Sequence, residues 1–236
     1  MLQASVPILA YHQVLPLPLL GPAPARRGLV VPARRFRLQV ALLKAFGFTG
    51  ITLRQWIDAL DGAAPLPKKP VIFTFDDGYF GIYDHVLPVL LRAGFRATCY
   101  VIAEDLVDGP KGERAFSVLS CAQVRELVAA GFEIGSHSLT HMRLGTADYA
   151  QNAREICQSK EILENVLATR VDTFAYPYGD YNAETITCVR DAGYRAAVIV
   201  NSSDPTVGES RFALRRIPLG YDQNMAAFVG RLWPYY

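Results

Sequence analysis

Val71-Ile72-Phe73-Thr74-Phe75-Asp76-Asp77-Gly78 begins as an apolar run that reads as a buried strand, and it ends on two adjacent carboxylates where that strand should stop. Neighbouring ionised aspartates repel each other and are costly to desolvate, so folding alone gains nothing obvious from the pair. An Asp-Asp-Gly turn is the plain structural reading. The chemical reading lets a cation offset one charge and leaves the other carboxylate to move a proton.

A second segment further along shifts the balance toward chemistry. Ser136-His137-Ser138-Leu139-Thr140-His141 follows another strand-like run, Phe132-Glu133-Ile134. His137 and His141 are four apart, so a helical turn would put both imidazoles on one face. Two histidines and one carboxylate make a three-ligand site with an open position, the layout of a catalytic zinc-like metal.

The flanking sequence alternates strands and helices. Strands are expected at 6–11, 71–76, 96–102, 132–136, 172–176, 195–200 and 212–218. Helices are expected at 33–46, 53–60, 81–93, 122–130, 147–167, 183–192 and 225–232, several of them stopped by a glycine. The stretch 15–32 is rich in Pro, Leu and Gly without a period and reads as a long loop. A second polar loop carries Gly109-Pro110-Lys111-Gly112-Glu113. The alternation with short links argues for a parallel α/β sheet, an open or closed barrel in a single domain spanning 1–236. Both candidate metal segments fall just past a strand, where barrel active sites sit.

Composition fits a compact globular chain, with 51% hydrophobic and 19% charged residues in 236. A net charge of +2 gives no strong pull toward nucleic acid or an anionic membrane. The basic residues Arg26, Arg27, Arg34, Arg35 and Arg37 read as a solvated loop and helix face. No apolar stretch approaches the length of a membrane span. The first residues lack a signal-peptide pattern, so a cytoplasmic location is expected, with a periplasmic or membrane-surface one if a leader is missing. Cys99, Cys121, Cys157 and Cys188 are widely spaced and read as buried free thiols.

The order Thr-Phe-Asp-Asp-Gly, His-Ser-x-x-His and Tyr176-Pro177-Tyr178-Gly179 resembles the polysaccharide deacetylase (NodB-homology) family, carbohydrate esterase family 4. The resemblance implies a distorted (β/α) barrel of about seven strands. It also implies a metal-dependent hydrolase that removes acetyl groups from sugars. By position, Asp77, His137 and His141 resemble the ligands of one divalent metal. Asp76 resembles the general base, and the backbone N–H of Tyr178 resembles an oxyanion-hole donor. Zinc is the default ion for such ligands, with cobalt, nickel and iron as alternatives.

Two departures from the family pattern stand out. The arginine that commonly holds the base aspartate is replaced by Ala175, and no histidine follows His141. His12, closing the apolar strand Pro7-Ile8-Leu9-Ala10-Tyr11, resembles the leaving-group acid of a circularly permuted branch that includes poly-N-acetylglucosamine deacetylases. Arg215 or Arg216, on a late strand, is the expected substitute for the lost arginine. His85 reads as structural. Among the aromatics near these loops, Tyr79, Phe80, Tyr83 and Tyr176 read mainly as packing. Tyr178 and Tyr181, with Pro177, are the candidates for a sugar contact.

The expected substrate is an N-acetylated sugar, of N-acetylglucosamine type, in a glycan or glycan precursor. A non-sugar amide or imide hydrolase, an O-acetyl esterase and a glycan-binding module with a decayed site remain alternatives at this level.

Overall fold

The computed structural model describes residues 6–19, 24–106, 116–200, 210–232 and 235. The loop motif at 109–113 lies outside them. Strand β1 (Ile8–Tyr11) leads into β2 (Gln13–Leu15), which pairs in parallel with β3 (Val30–Pro32). The expected loop 15–32 is therefore pinned at both ends. Helix α1 (Ala33–Ala45), strand β4 (Thr49–Ile51) and helix α2 (Leu53–Leu60) follow. Then come β5 (Pro70–Phe75), a π-helical turn at Ile82–Val86 that runs into α3 (Leu87–Ala93), and β6 (Thr98–Val101). The remaining elements are α4 (Cys121–Ala129), β7 (Glu133–Ser136), α5 (Tyr149–Leu167), β8 (Thr173–Ala175), α6 (Ala183–Asp191), β9 (Ala196–Ile199), β10 (Leu214–Arg215), β11 (Ile217–Pro218) and α7 (Met225–Leu232).

The main sheet is parallel throughout and runs β10-β9-β8-β7-β6-β5-β1-β11, with β4 added along the first half of β5. Strands β10 and β11 are two halves of one stretch, interrupted at Arg216. The first half pairs with β9 (Leu214 opposite Val198) and the second with β1 (Leu9 opposite Ile217), so this stretch closes the ring. Seven positions surround the axis, as the family resemblance implied, and β4 makes an eighth strand in a nearly closed barrel.

Two apolar cores hold this shell. The larger lies between the sheet and the surrounding helices and includes Phe36, Phe73, Phe75, Leu127, Leu163 and Phe174. The smaller fills the barrel with Ile8, Ile72, Tyr100, Val198 and Leu214. Leu53, Trp56 and Ile57 of α2 belong to this inner cluster. Thr52 caps α2 with Gln55 in a reciprocal capping box. The first amides of α2 donate to Thr98 Oγ1 and Glu133 Oε2 at the starts of β6 and β7. The helix thus plugs the N-terminal end of the barrel and leaves the strands' C-terminal ends open. Cys99, Cys121 and Cys188 are buried, but Cys157 is exposed on the outer face of α5, which corrects the expectation for that residue. Among the described residues, no helix is long and apolar enough to cross a membrane.

Candidate metal centre and catalytic cleft

Asp77, His137 and His141 converge at the open end of the barrel. Directly after β5 the chain turns sharply, with Asp77 at φ 67° and Gly78 at φ 63°. Aspartate tolerates the left-handed region better than most residues. Glycine is required next, since a Cβ at Gly78 would come within 3.1 Å of Val101 Cγ1 as well as being strained. The result turns the Asp77 carboxylate toward the end of β7.

The histidine pair does not lie on the expected helical turn. The chain after β7 instead forms an irregular turn, with Ser138 at φ 66° and His141 at φ 64°. The imidazoles meet nevertheless, with ring centroids 4.8 Å apart. His137 Nδ1 is 2.7 Å from the carbonyl oxygen of Ala175. A carbonyl only accepts, so Nδ1 carries the proton and Nε2 presents a lone pair. That lone pair faces Asp77 Oδ1 at 3.4 Å, and His141 Nε2 stands 3.3 Å from the same oxygen. Asp77 Oδ1 is buried and makes no hydrogen bond of ordinary geometry.

A buried carboxylate oxygen with two imidazole nitrogens at 3.3 and 3.4 Å and no hydrogen bond of its own fits a cation between them. Tetrahedral ligands at zinc-like distances stand about 3.4 Å apart, which matches the two separations. The three ligand atoms all lie within 4.8 Å of one another. Burial alone would raise the Asp77 carboxyl, but positive charge and N–H donors at the histidine positions outweigh it and hold it well below the usual carboxylate value, on the side that a cation would occupy. The residues therefore fit a single divalent cation.

Asp76 sits in a different environment. Burial would raise its pKa too, but the Arg216 guanidinium and nearby imidazoles push it below the ordinary value. Arg216 donates from Nη1 to Oδ1 at 2.6 Å and from Nη2 to Oδ2 at 2.7 Å. Its Nη1 also reaches Thr74 Oγ1 at 3.0 Å, and its guanidinium lies 5.6 Å from the Tyr100 ring centroid. Of the two arginines considered from the sequence, the structure brings Arg216 to Asp76. Arg215 is exposed on β10, and its side chain is not brought to this carboxylate. Strand alternation is the signal that separates them, because Leu214 and Arg216 share the inward face. His12 closes β1 with Nε2 4.0 Å from Asp76 Oδ2. Burial lowers the His12 pKa, opposed only in part by the two aspartates, so its resting form is neutral.

A cavity of about 500 Å³ opens beside Asp77 and His141 and is walled by Tyr79, Phe116, Tyr178 and Arg26. Tyr178 is 54% exposed and turns at φ 60°. Its ring lies between His141 (centroids 4.6 Å apart) and the Arg143 guanidinium at 4.4 Å. Pro177 is buried beneath it. Tyr181 lies tilted against Tyr176 with ring centroids 5.1 Å apart, packs on the core and is absent from the cavity wall. Phe116 and Arg143 carry no motif, and the sequence offered no signal for them; Arg26 stood out only as part of a basic pair that reads as a solvated face.

A parallel barrel with an Asp-His-His cation site and a second carboxylate beside it defines a metal-dependent hydrolase. The family profile described as "Polysaccharide deacetylase" matches residues 63–197. The chain belongs to this family of metal-dependent carbohydrate deacetylases. It is 27% identical over 225 residues to YxkH of Bacillus subtilis, which carries a polysaccharide deacetylase name, covering 95% of this chain and 75% of that one. It is 26% identical over 201 residues to the poly-beta-1,6-N-acetyl-D-glucosamine N-deacetylase of Staphylococcus epidermidis, covering 81% of this chain and 68% of that one. The fold matches the Streptococcus pyogenes deacetylase PplD, solved in complex with acetate, at a TM-score of 0.80 and 25% identity, over 95% of this chain and 96% of that one.

Proposed function

We propose that this enzyme hydrolyses the acetamide of an N-acetylated amino sugar of N-acetylglucosamine type, with zinc held by Asp77, His137 and His141. The observation that carries the reading is the unequal treatment of two adjacent carboxylates. Asp77 faces the Nε2 atoms of two imidazoles, whereas Asp76 is locked by Arg216 with His12 alongside. The named activity of the Staphylococcus epidermidis relative supports the substrate class. Cobalt, nickel and iron share the same ligand preferences and are the alternatives to zinc.

When bound, a divalent cation acidifies water and polarises an acyl oxygen. Asp76, ionised and oriented, takes one proton from the attacking water. The backbone N–H of Tyr178 donates to the acyl oxygen as it gains charge. His12 is neutral at rest and must gain a proton before it can give one. Asp76, 4.0 Å away, is the neighbouring group that has just taken one. His12 then protonates the departing nitrogen as the C–N bond breaks. The first water proton ends on the amine, the second leaves with acetic acid, and both side chains return to their starting states.

Mass spectrometry of N-acetylglucosamine oligomers incubated with zinc-loaded protein tests the assignment. Loss of acetyl groups with release of free acetate is expected. Stoichiometric metal with no acetyl loss from any acetylated sugar would refute it.

A further inference from the structure

We infer that Glu155 is the positioning residue that holds the metal-ligand turn in shape, an inference that rests on the metal reading above. The turn from His137 to His141 contains two non-glycine residues in the left-handed region, Ser138 and His141. Such backbone is disfavoured for residues with a Cβ and persists only where the surroundings over-determine it. One local bond helps, from the His141 amide to Ser138 Oγ at 2.9 Å.

The loop after β6 holds the turn's carbonyls, with the Ala103 and Glu104 amides donating to the Ser138 and Leu139 oxygens at 3.1 Å each, and α5 holds its amides. Glu155 sits within this 19-residue helix and is only 5% exposed. Its Oε2 accepts from the amides of Leu139 at 3.1 Å and Thr140 at 2.9 Å, and its Oε1 accepts from Thr140 Oγ1 at 2.8 Å. Two successive amides and a hydroxyl form a small anion cradle. No ion pair to Glu155 occurs among the described residues, so every donor to this buried carboxylate comes from the turn between the two histidine ligands. The helix therefore holds the amide side of the segment that joins the two imidazoles, beside the carbonyl anchors from the β6 loop. Partners of this kind around a metal typically govern affinity by 10–100-fold.

The test compares Glu155→Leu, which keeps bulk but accepts nothing, with Glu155→Gln, which can accept both amides and donate to the Thr140 hydroxyl. Zinc affinity is read by competition with a chromophoric chelator, and ligand geometry by the visible spectrum of the cobalt-loaded protein. Glu155→Leu should weaken zinc binding roughly 10–100-fold and change the cobalt spectrum, and Glu155→Gln should recover most of both. If Glu155→Leu does not fold, Thr140→Val removes one of the three bonds and should give a smaller shift in the same direction. Unchanged affinity and spectrum in the folded variants, with only a lower melting temperature, overturn this inference alone. A wild-type protein that takes up neither zinc nor cobalt overturns the metal reading, and this inference with it.

Discussion

Arg216 grips Asp76 through two parallel hydrogen bonds of 2.6 and 2.7 Å, and neither side chain is more than 1% exposed. A fork facing a carboxylate fixes both its charge and its orientation, which a lysine cannot do. Asp76 is folded with a pKa below its ordinary value, so the pair's contribution is present above the unfolded carboxylate pKa and is lost as pH falls through the folded one. Arg216→Ala leaves a buried carboxylate uncompensated, at a cost of about 3–5 kcal/mol. With the guanidinium gone, burial is opposed only by the imidazoles of His137 and His12, so the drop in stability on acidification should shrink. Denaturant unfolding at several pH values checks this, and adding Asp76→Asn should recover part of the loss. Turnover should fall in Arg216→Ala and Arg216→Lys while zinc content stays normal. Unchanged turnover would sink the orienting role.

The adjacent aspartates should separate cleanly on mutation. Asp76→Asn should lower acetate release by about 10²–10⁴-fold and keep its zinc. Asp77→Asn should lose zinc and activity together. Metal analysis beside an acetate assay distinguishes them, and an active Asp76→Asn variant would remove the base assignment.

His12 gives a pH signature of the same sign as that of Asp76, in a higher pH window. Its folded pKa lies below 6.5, so the folded state binds fewer protons than the unfolded chain between those two values. Stability should therefore rise with pH across that window and level off above about 6.5. The effect should vanish in His12→Gln. An NMR titration of the His12 ring that gave a value above 6.5 would contradict the burial argument.

Metal removal should cost stability as well as activity. Free metal at 1,000 times its dissociation constant stabilises by about 4 kcal/mol. For a domain of this size, chelation should lower the melting temperature by on the order of 10 °C. Zinc should restore it in the wild type and not in His137→Ala. Calorimetry with and without chelator measures the difference, and an unchanged melting temperature would mean that the three side chains hold no ion.

How much of this was legible in the sequence depended on how local each signal was. The Asp76-Asp77 pair was readable because two buried carboxylates are anomalous in any strand context. His137 and His141 were readable as a pair, although the backbone joining them is a strained turn and not a helix. His12 could be placed by its position at the end of an apolar strand. The choice between Arg215 and Arg216 needed the inward face of the last strand, which Leu214 fixes only once the barrel closes. Tyr178 and Tyr181 look alike in sequence as candidates for a sugar contact; in the fold Tyr178 stands at the cavity wall and Tyr181 lies against Tyr176. Glu155 could not be read at all. It is one acidic residue among several on a long amphipathic helix, and only the contact with a distant turn distinguishes it.

The stretch 214–218 hydrogen-bonds to β9 on one side and β1 on the other, and the residue at its midpoint is Arg216. Quality control is therefore built into the topology. A chain emerging from the ribosome acquires all three ligand residues well before it acquires the arginine that readies Asp76. Its base becomes fixed only when the last strand docks beside the first.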